Sequence, residues 1–350
     1  MKKISVLGSV ILAACAALAQ SPNSIQPGPK PADIPKQWEL WIGEYGDSHP
    51  GAKVTVIAEK DGYIEIFERT NQPGSAHYEA GDKFRADGSL PSEESHGLRT
   101  DRSGKRLLVS GDVVYPKISP DFGARTQVLI TPVRPVAELR SEALAASPPH
   151  EDGSFRKPDL AELGPLDSRI HLDVRYATSN DFLGTPVYSQ ARAFLQRPAA
   201  EALLRVQQKL KPLGYSLLIH DAYRPWYVTK IFWDATPPEG KIFVADPAQG
   251  SRHNRGCAVD LTLYDLATGK PIEMPGTYDE MSPRSFPDYP GGTSLQRWHR
   301  DLLRRAMESE GFTVYEAEWW HFDYKDWKEY PILNVPFEKL GLKAGTSAVH

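Results

Sequence analysis

Hydrophobic and polar positions divide the chain into a β-patterned first part and a mixed second part. Across residues 37–136 short apolar runs alternate with polar residues, and no stretch repeats at the spacing of a long amphipathic helix. Val54 and Val56, then Ile64 and Ile66, flank Asp61-Gly62, a dipeptide that favours a two-residue hairpin turn. Residues 106–110, 112–115 and 127–131 extend the series between Gly-bearing turns. The pattern predicts a small all-β domain over 37–136, an antiparallel sheet or barrel. Trp38, Trp41 and Tyr45 are assigned to its core in preference to a ligand platform.

From residue 161 to 340 helical and strand patterns interleave. Residues 197–213 predict a helix, with Pro198 in its first turn and Gly214 just past its end. Residues 294–310 predict another, capped by Ser294, with Leu295, Trp298, Leu302 and Ala306 on one face and Gly311 as the stop. Residues 216–220 and 258–264 predict strands. The irregular order favours an α+β domain with a central antiparallel sheet over a doubly wound parallel one. Residues 137–160, polar and Pro-containing, suit a linker, residues 20–36 a flexible leader and residues 341–350 a tail.

The first 19 residues read as an export signal. Lys2 and Lys3 precede an apolar run over 4–18, and Ala17-Leu18-Ala19 offers a small-x-small cleavage site. Leu12-Ala13-Ala14-Cys15 also resembles a lipoprotein box, but the apolar stretch ahead of it is short, so lipid anchoring through Cys15 is the minor route. Either way the mature protein is expected outside the cytoplasm, periplasmic or secreted. No other stretch reaches the ~18 apolar residues of a membrane span.

Composition narrows the function classes. The net charge of −4 supplies no basic field for nucleic acid. Removal of the signal leaves Cys257 as the single thiol, which excludes an intramolecular disulfide. A free cysteine usually packs as a small hydrophobe, and Cys257 is expected to do so. His49, His77 and His96 have no ligand-like spacing and are expected at the surface.

Two segments carry the candidate chemistry. Ser251-Arg252-His253 through Asp260 supplies an imidazole and a carboxylate around Gly256, and Glu318-Trp319-Trp320-His321 supplies a carboxylate and a second imidazole. Two His and one acid, with a fourth position left for water, is the ligand count of a catalytic zinc site. A further carboxylate can then serve as general base. Arg224, in Asp221-Ala222-Tyr223-Arg224-Pro225 after an apolar strand, is placed either for a task or for a salt bridge to Asp221. His220 is a rival ligand, though its apolar setting suits a core hydrogen bond better.

These segments, together with Leu172-Asp173-Val174-Arg175-Tyr176-Ala177-Thr178, resemble the zinc D-alanyl-D-alanine dipeptidases of the type known from vancomycin resistance. That family lies within the lysostaphin-like, D-Ala-D-Ala-cleaving and hedgehog-like group, and the resemblance covers residues from about 163 to 335. It implies one zinc ion per chain on His253, Asp260 and His321, Glu318 as catalytic base and Arg224 stabilising the oxyanion. Ser251 and Asp279 fall where the family lines its dipeptide pocket. The implied substrate is D-Ala-D-Ala, with cell-wall fragments as further partners. A D,D- or L,D-carboxypeptidase trimming peptidoglycan stem peptides is the alternative. A non-catalytic zinc-containing wall-binding module is a third reading, which the presence of both Glu318 and Arg224 argues against. The region before residue 160 is absent from the minimal family members.

Overall fold

The computed structural model of the chain describes residues 24–71, 78–84, 96–120 and 129–340. The export signal with Cys15, residues 20–23, His77 and the tail lie outside the described residues, as do the first two positions of the strand expected at 127–131. Its last three, 129–131, form no strand.

After one helical turn, α1 (Lys36–Glu39), four strands form an antiparallel meander: β1 (Gly43–Gly46), β2 (Lys53–Lys60), β3 (Tyr63–Thr70) and β4 (Glu79–Phe84). A three-stranded sheet follows, β5 (His96–Thr100), β6 (Arg106–Ser110) and β7 (Val113–Pro116). The β2–β3 hairpin turns at Asp61 (φ 52°) and Gly62 (φ 80°), with Lys60 paired to Tyr63. Two positive φ angles in a two-residue loop match the twist of the flanking strands, which explains the choice of Asp-Gly.

The hairpin register decides which apolar residues share a face. Ile64 pairs with Glu59 and Ile66 with Ile57, whereas Val54 pairs with Arg69 and Val56 with Phe67. The two apolar pairs therefore lie on opposite faces. Ile57, Ile64 and Ile66 enclose a small core with Tyr45 and Leu108, against which Trp38 and Trp41 pack. Val54 and Val56 pack instead on Tyr289, from the second half of the chain. Of the three N-terminal aromatics Tyr45 is buried in the core, as expected, Trp38 and Trp41 are half-buried against it, and His49 is exposed.

The second half holds a two-stranded sheet, β8 (Leu160–Glu162) with β10 (Phe194–Gln196), and the sheet that carries the site. That sheet contains β9 (His171–Leu172), β11 (Tyr215–Asp221), β12 (Ala258–Asp265), β13 (Phe312–Tyr315) and β14 (Glu318–Tyr324), in the order β13-β14-β12-β11-β9. It is antiparallel as expected, except that the edge strand β9 runs parallel to β11. Between β7 and β8 lies α2 (Val136–Ala145), and α3 (Arg197–Leu210), α4 (Trp226–Ala235) and α5 (Ser294–Glu308) follow. No described helix is long and apolar enough to cross a membrane.

Both expected helices are present, with adjusted ends. α3 gives way to a 3₁₀ turn, Lys211–Leu213, closed by Gly214 at φ 86°. α5 buries Trp298, Leu302, Leu303, Ala306 and Met307, each large side chain worth about 1.5–3 kcal/mol. Its cap is Thr293, which accepts from Gln296 N while the Gln296 side chain returns to Thr293 N. Ser294, expected as the cap, instead donates its N–H to Glu59 Oε2 at 2.7 Å, which puts an acid from β2 at the positive helix end.

Two segments read as connectors are built into the fold. Within 137–160 the chain forms most of α2, which packs on α4 through buried Leu139 and Ala143. In the leader, Ile25 packs on the main core and Gly28 O accepts from Trp298 Nε1 at 3.0 Å.

One buried histidine makes stability depend on pH. His299 on α5 lies beneath Tyr215, with 2.9 Å between the hydroxyl and Nε2. Burial, assisted by the Lys30 ammonium, pushes its pKa down to about 4. An unfolded histidine titrates near ~6.5, so between these values the unfolded chain binds a proton that the folded one refuses. His299 thus lowers stability as pH falls from ~6.5 towards 4, by up to about 3 kcal/mol, and contributes no slope above that window. His299→Gln should show a shallower fall of Tm between about pH 7 and pH 5 than the parent chain. Equal slopes would mean that His299 does not set the acid dependence.

Candidate metal centre and active site

Three neighbouring strands assemble the site. Asp260 of β12 pairs with Asp221 of β11 on one side and with His321 of β14 on the other. Directly paired residues share a face of the sheet, so the three side chains form a row. His220 sits where the β11–β12 register shifts, and that bulge takes it out of the row. Its ring stacks on Tyr278 with centroids 4.3 Å apart, and its Nδ1 is 3.3 Å from the Asp173 carbonyl oxygen. The rival ligand is thus a core residue.

A second irregularity places Glu318. Val314 pairs with Phe322 but Tyr315 with Glu318, so β14 bulges across the intervening residues. In a regular strand residues three apart face opposite ways. Here Glu318 Oε2 lies 3.6 Å from His321 Nδ1. Trp319 and Trp320, both buried and edge-to-face at 5.5 Å, anchor the bulge.

His253 comes from the 3₁₀ turn His253–Arg255. Ser251 Oγ accepts from His253 N at 3.2 Å, so Ser251 helps to shape the turn as well as lining the pocket. Gly256 closes the turn at φ 67°, and a Cβ there would meet Leu160 Cδ2 at 2.5 Å. Both the backbone angle and the space require glycine.

The donor atoms converge. His253 Nε2 lies 3.1 Å from His321 Nδ1 and 3.3 Å from Asp260 Oδ1, which is 3.1 Å from His321 Nδ1. Tetrahedral zinc with bonds of ~2.0–2.1 Å has ligand–ligand edges of ~3.3 Å, close to all three. Each imidazole is held from behind: His253 Nδ1 is 2.6 Å from Ala222 O, and His321 Nε2 is 2.9 Å from Asp323 Oδ1. N–H groups donated outward leave the inward nitrogens with lone pairs. Asp260 Oδ1 is buried with no hydrogen-bond donor, while Oδ2 accepts from Tyr278 at 3.3 Å. These are the only His/Cys/Asp/Glu residues among those described that form a group able to hold a metal ion.

The charge balance also calls for a cation. Burial opposes protonation of His321, yet Asp260 and Asp323 outweigh it and hold the pKa up at about 10. Burial opposes the charge on Asp260 as well, but the two imidazoles keep its carboxyl well below the usual range. Burial raises Glu318 to about 7, with Asp260 adding to the shift and His321 and Arg224 opposing it. The donor set and its surroundings fit zinc.

Arg224 makes the salt bridge its sequence context allowed and also lies at the site. Its Nε and one terminal nitrogen donate to Asp221 Oδ2 at 3.0 and 2.8 Å, and its guanidinium lies over Phe232 at 4.9 Å. It also reaches the site, 3.9 Å from Asp260 Oδ2. Asp279 faces the same cavity of about 230 Å³. Tyr176 donates to its Oδ1 at 3.0 Å, and its Oδ2 is buried without a partner. Burial, then the carboxylates of Asp260 and Glu318, raises its pKa well above the usual range. A cationic group in the cavity would relieve that. Cys257 is fully buried and burial pushes its thiol up to about 12, so it is packing, as expected.

Three supporting residues escaped the sequence reading. Asp323 holds His321, Tyr188 donates to Asp221 Oδ1 at 2.6 Å, and Tyr278 holds Asp260. Asp323 was accessible in principle, because positions two apart on a strand share a face.

The sequence profile of the family described as D-ala-D-ala dipeptidase matches residues 158–338. The D-alanyl-D-alanine dipeptidase of Escherichia coli K12 is 34% identical over 179 residues, covering 51% of this chain and 91% of the relative. That of Streptomyces coelicolor is 34% identical over 186 residues, covering 48% and 92%. That of Enterococcus faecalis V583 is 35% identical over 187 residues, covering 47% and 92%. The profile leaves residues 1–157, with both N-terminal sheets, unmatched. The site lies wholly inside the matched region: the chain belongs to the D-Ala-D-Ala dipeptidase family of peptidases.

Proposed function

We propose that this chain is an exported, zinc-dependent dipeptidase that hydrolyses D-Ala-D-Ala. The observation that carries the reading is the convergence of His253, Asp260 and His321 at 3.1–3.3 Å, with Glu318 and Arg224 beside them. The names of the relatives support the substrate, and the basic-apolar segment ahead of Gln20 supports export.

Bound by those three side chains, zinc supplies Lewis acidity and lowers the pKa of a bound water from ~15.7 towards ~7. Glu318 takes a proton from the attacking water and returns it to the leaving amine. Its buried setting keeps its proton affinity close to neutral pH, which suits a group that must both accept and donate. Arg224 faces the charge that develops on the carbonyl oxygen, and its fork on Asp221 fixes it there before substrate arrives. Asp279, oriented by Tyr176, receives the substrate ammonium. Asp323, Ala222 O and Ser251 keep the imidazoles aimed inward.

The ammonium contact separates a dipeptidase from a carboxypeptidase. Asp279→Ala should lower kcat/KM on D-Ala-D-Ala by at least about 100-fold, since a buried ion pair that loses one partner costs ~3–5 kcal/mol. Metal content should be unchanged. Wild-type protein should discriminate against N-acetyl-D-Ala-D-Ala. If it cleaves both substrates equally well, it does not read the ammonium, and the carboxypeptidase on stem peptides replaces the dipeptidase.

A further inference from the structure

A second cavity, of about 250 Å³, lies beside the active site where the N-terminal β-region meets the catalytic sheet. Ile42, Gly43, Ser119 and Pro120 contribute one wall, and these precede the family match. The opposite wall is Leu218 of β11, Thr262 of β12 and Trp319 of β14. Thr262 is two residues from Asp260 on the same strand, so both face the same side of the sheet. Tyr278 stands between the two spaces. Its ring lines this cavity, while its hydroxyl donates to Asp260 Oδ2 in the other.

Three polar atoms around this cavity are buried without a hydrogen-bond partner: Trp319 Nε1, Thr262 Oγ1 and Arg284 Nη1. Trp319 is 3% exposed and Thr262 5% exposed. Leaving such groups unpaired costs about 1–3 kcal/mol each, so three on one cavity point to a ligand that pairs them. Their chemistry limits it. Indole and guanidinium nitrogens only donate, and the hydroxyl can donate as well. The ligand must therefore present acceptors; Arg284 pairs with Glu280 through Nε at 3.4 Å but leaves Nη1 unpaired, and with Arg175 also in the lining an anionic acceptor suits it. Met274, Ile272 and Tyr289 supply an apolar part of the lining, Asp173, Arg175 and His220 a polar part, and the exposed Glu273 and Asn180 connect the cavity to solvent.

We infer that this cavity is a second binding site, for a small carboxylic acid with an apolar or acylated body. The carboxylate accepts from Trp319, Thr262 and Arg284, and the body packs on Tyr278 and its apolar neighbours. The site is separate from the dipeptide pocket and exists because the N-terminal β-region closes it. Through Tyr278 its occupancy bears on a metal ligand.

The test uses the full, metal-loaded chain and two probe acids, N-acetyl-D-alanine and benzoate, with their neutral amides as controls. The Trp319 indole N–H resonance, assigned by its disappearance in Trp319→Phe, should shift and saturate with at least one acid. The matching amide should bind at least about tenfold more weakly, because it loses the charge-assisted contact. Thr262→Val, which removes the hydroxyl at nearly constant volume, should weaken the same acid several-fold and leave dipeptide turnover unchanged. No shift with either acid at millimolar concentration would overturn the site. So would a shift equal in Thr262→Val and wild type, which would mean that the acid sits in the dipeptide pocket. Should Trp319→Phe fail to fold, acid affinity by calorimetry in Thr262→Val against wild type decides the question alone.

Discussion

Glu318→Gln is expected to keep a full complement of zinc and to lose at least about 100-fold in kcat, the smallest loss usual for removal of a general base. The amide keeps the volume and the bulge that positions it, so the neighbouring ligands should not move. What disappears is a group that can take and return a proton. Glu318 is well placed for that role: its carboxylate is 3.6 Å from the His321 imidazole, and burial holds its pKa up at about 7. Metal analysis and kinetics on the same sample provide the check. If Glu318→Gln keeps more than about a tenth of wild-type turnover, the base is another residue.

Arg224→Met is expected to cost about 100- to 1,000-fold in kcat, the usual loss for one preorganised oxyanion partner. It carries a second cost. Asp221 is buried and would lose the guanidinium that donates twice to its Oδ2, which destabilises a fold by about 3–5 kcal/mol. The double variant Arg224→Met, Asp221→Asn separates the two effects by removing the stranded charge. It should regain most of the lost stability, measured by denaturant unfolding, and remain as slow as Arg224→Met. Recovery of turnover along with stability would make Arg224 a structural partner of Asp221 only.

Much of the site was legible because its side chains sit at distinctive places in the chain. His253 and Asp260 flank a glycine that the structure holds at positive φ in a crowded turn, and the acid, two tryptophans and His321 are contiguous. The rest depends on register. Nothing local states that β11 bulges against β12 or β14 against β13, yet one bulge excludes His220 and the other turns Glu318 towards His321. The hairpin at Asp61-Gly62 was readable from turn chemistry, whereas the opposite facing of Val54 and Ile64 follows only from the pairing. Single-residue periodicity also missed α4, whose sides are nearly all buried, so that it shows little contrast between faces. α2 looked like a linker because just two of its ten residues, Leu139 and Ala143, are buried. The helix cap falls one residue before the Ser294 read from the sequence, because only Thr293 completes the reciprocal bond with Gln296.

Zinc dependence and substrate can be read together in a single assay. Purified chain is assayed for alanine release from D-Ala-D-Ala, as isolated, after chelation and after return of zinc, with L-Ala-L-Ala in parallel. A zinc-dependent dipeptidase should release alanine from the D,D-dipeptide, lose that activity on chelation, regain it with one equivalent of zinc, and release little from the L,L-dipeptide. Release that survives complete removal of the metal, or zinc-loaded protein that leaves D-Ala-D-Ala intact, would contradict that assignment.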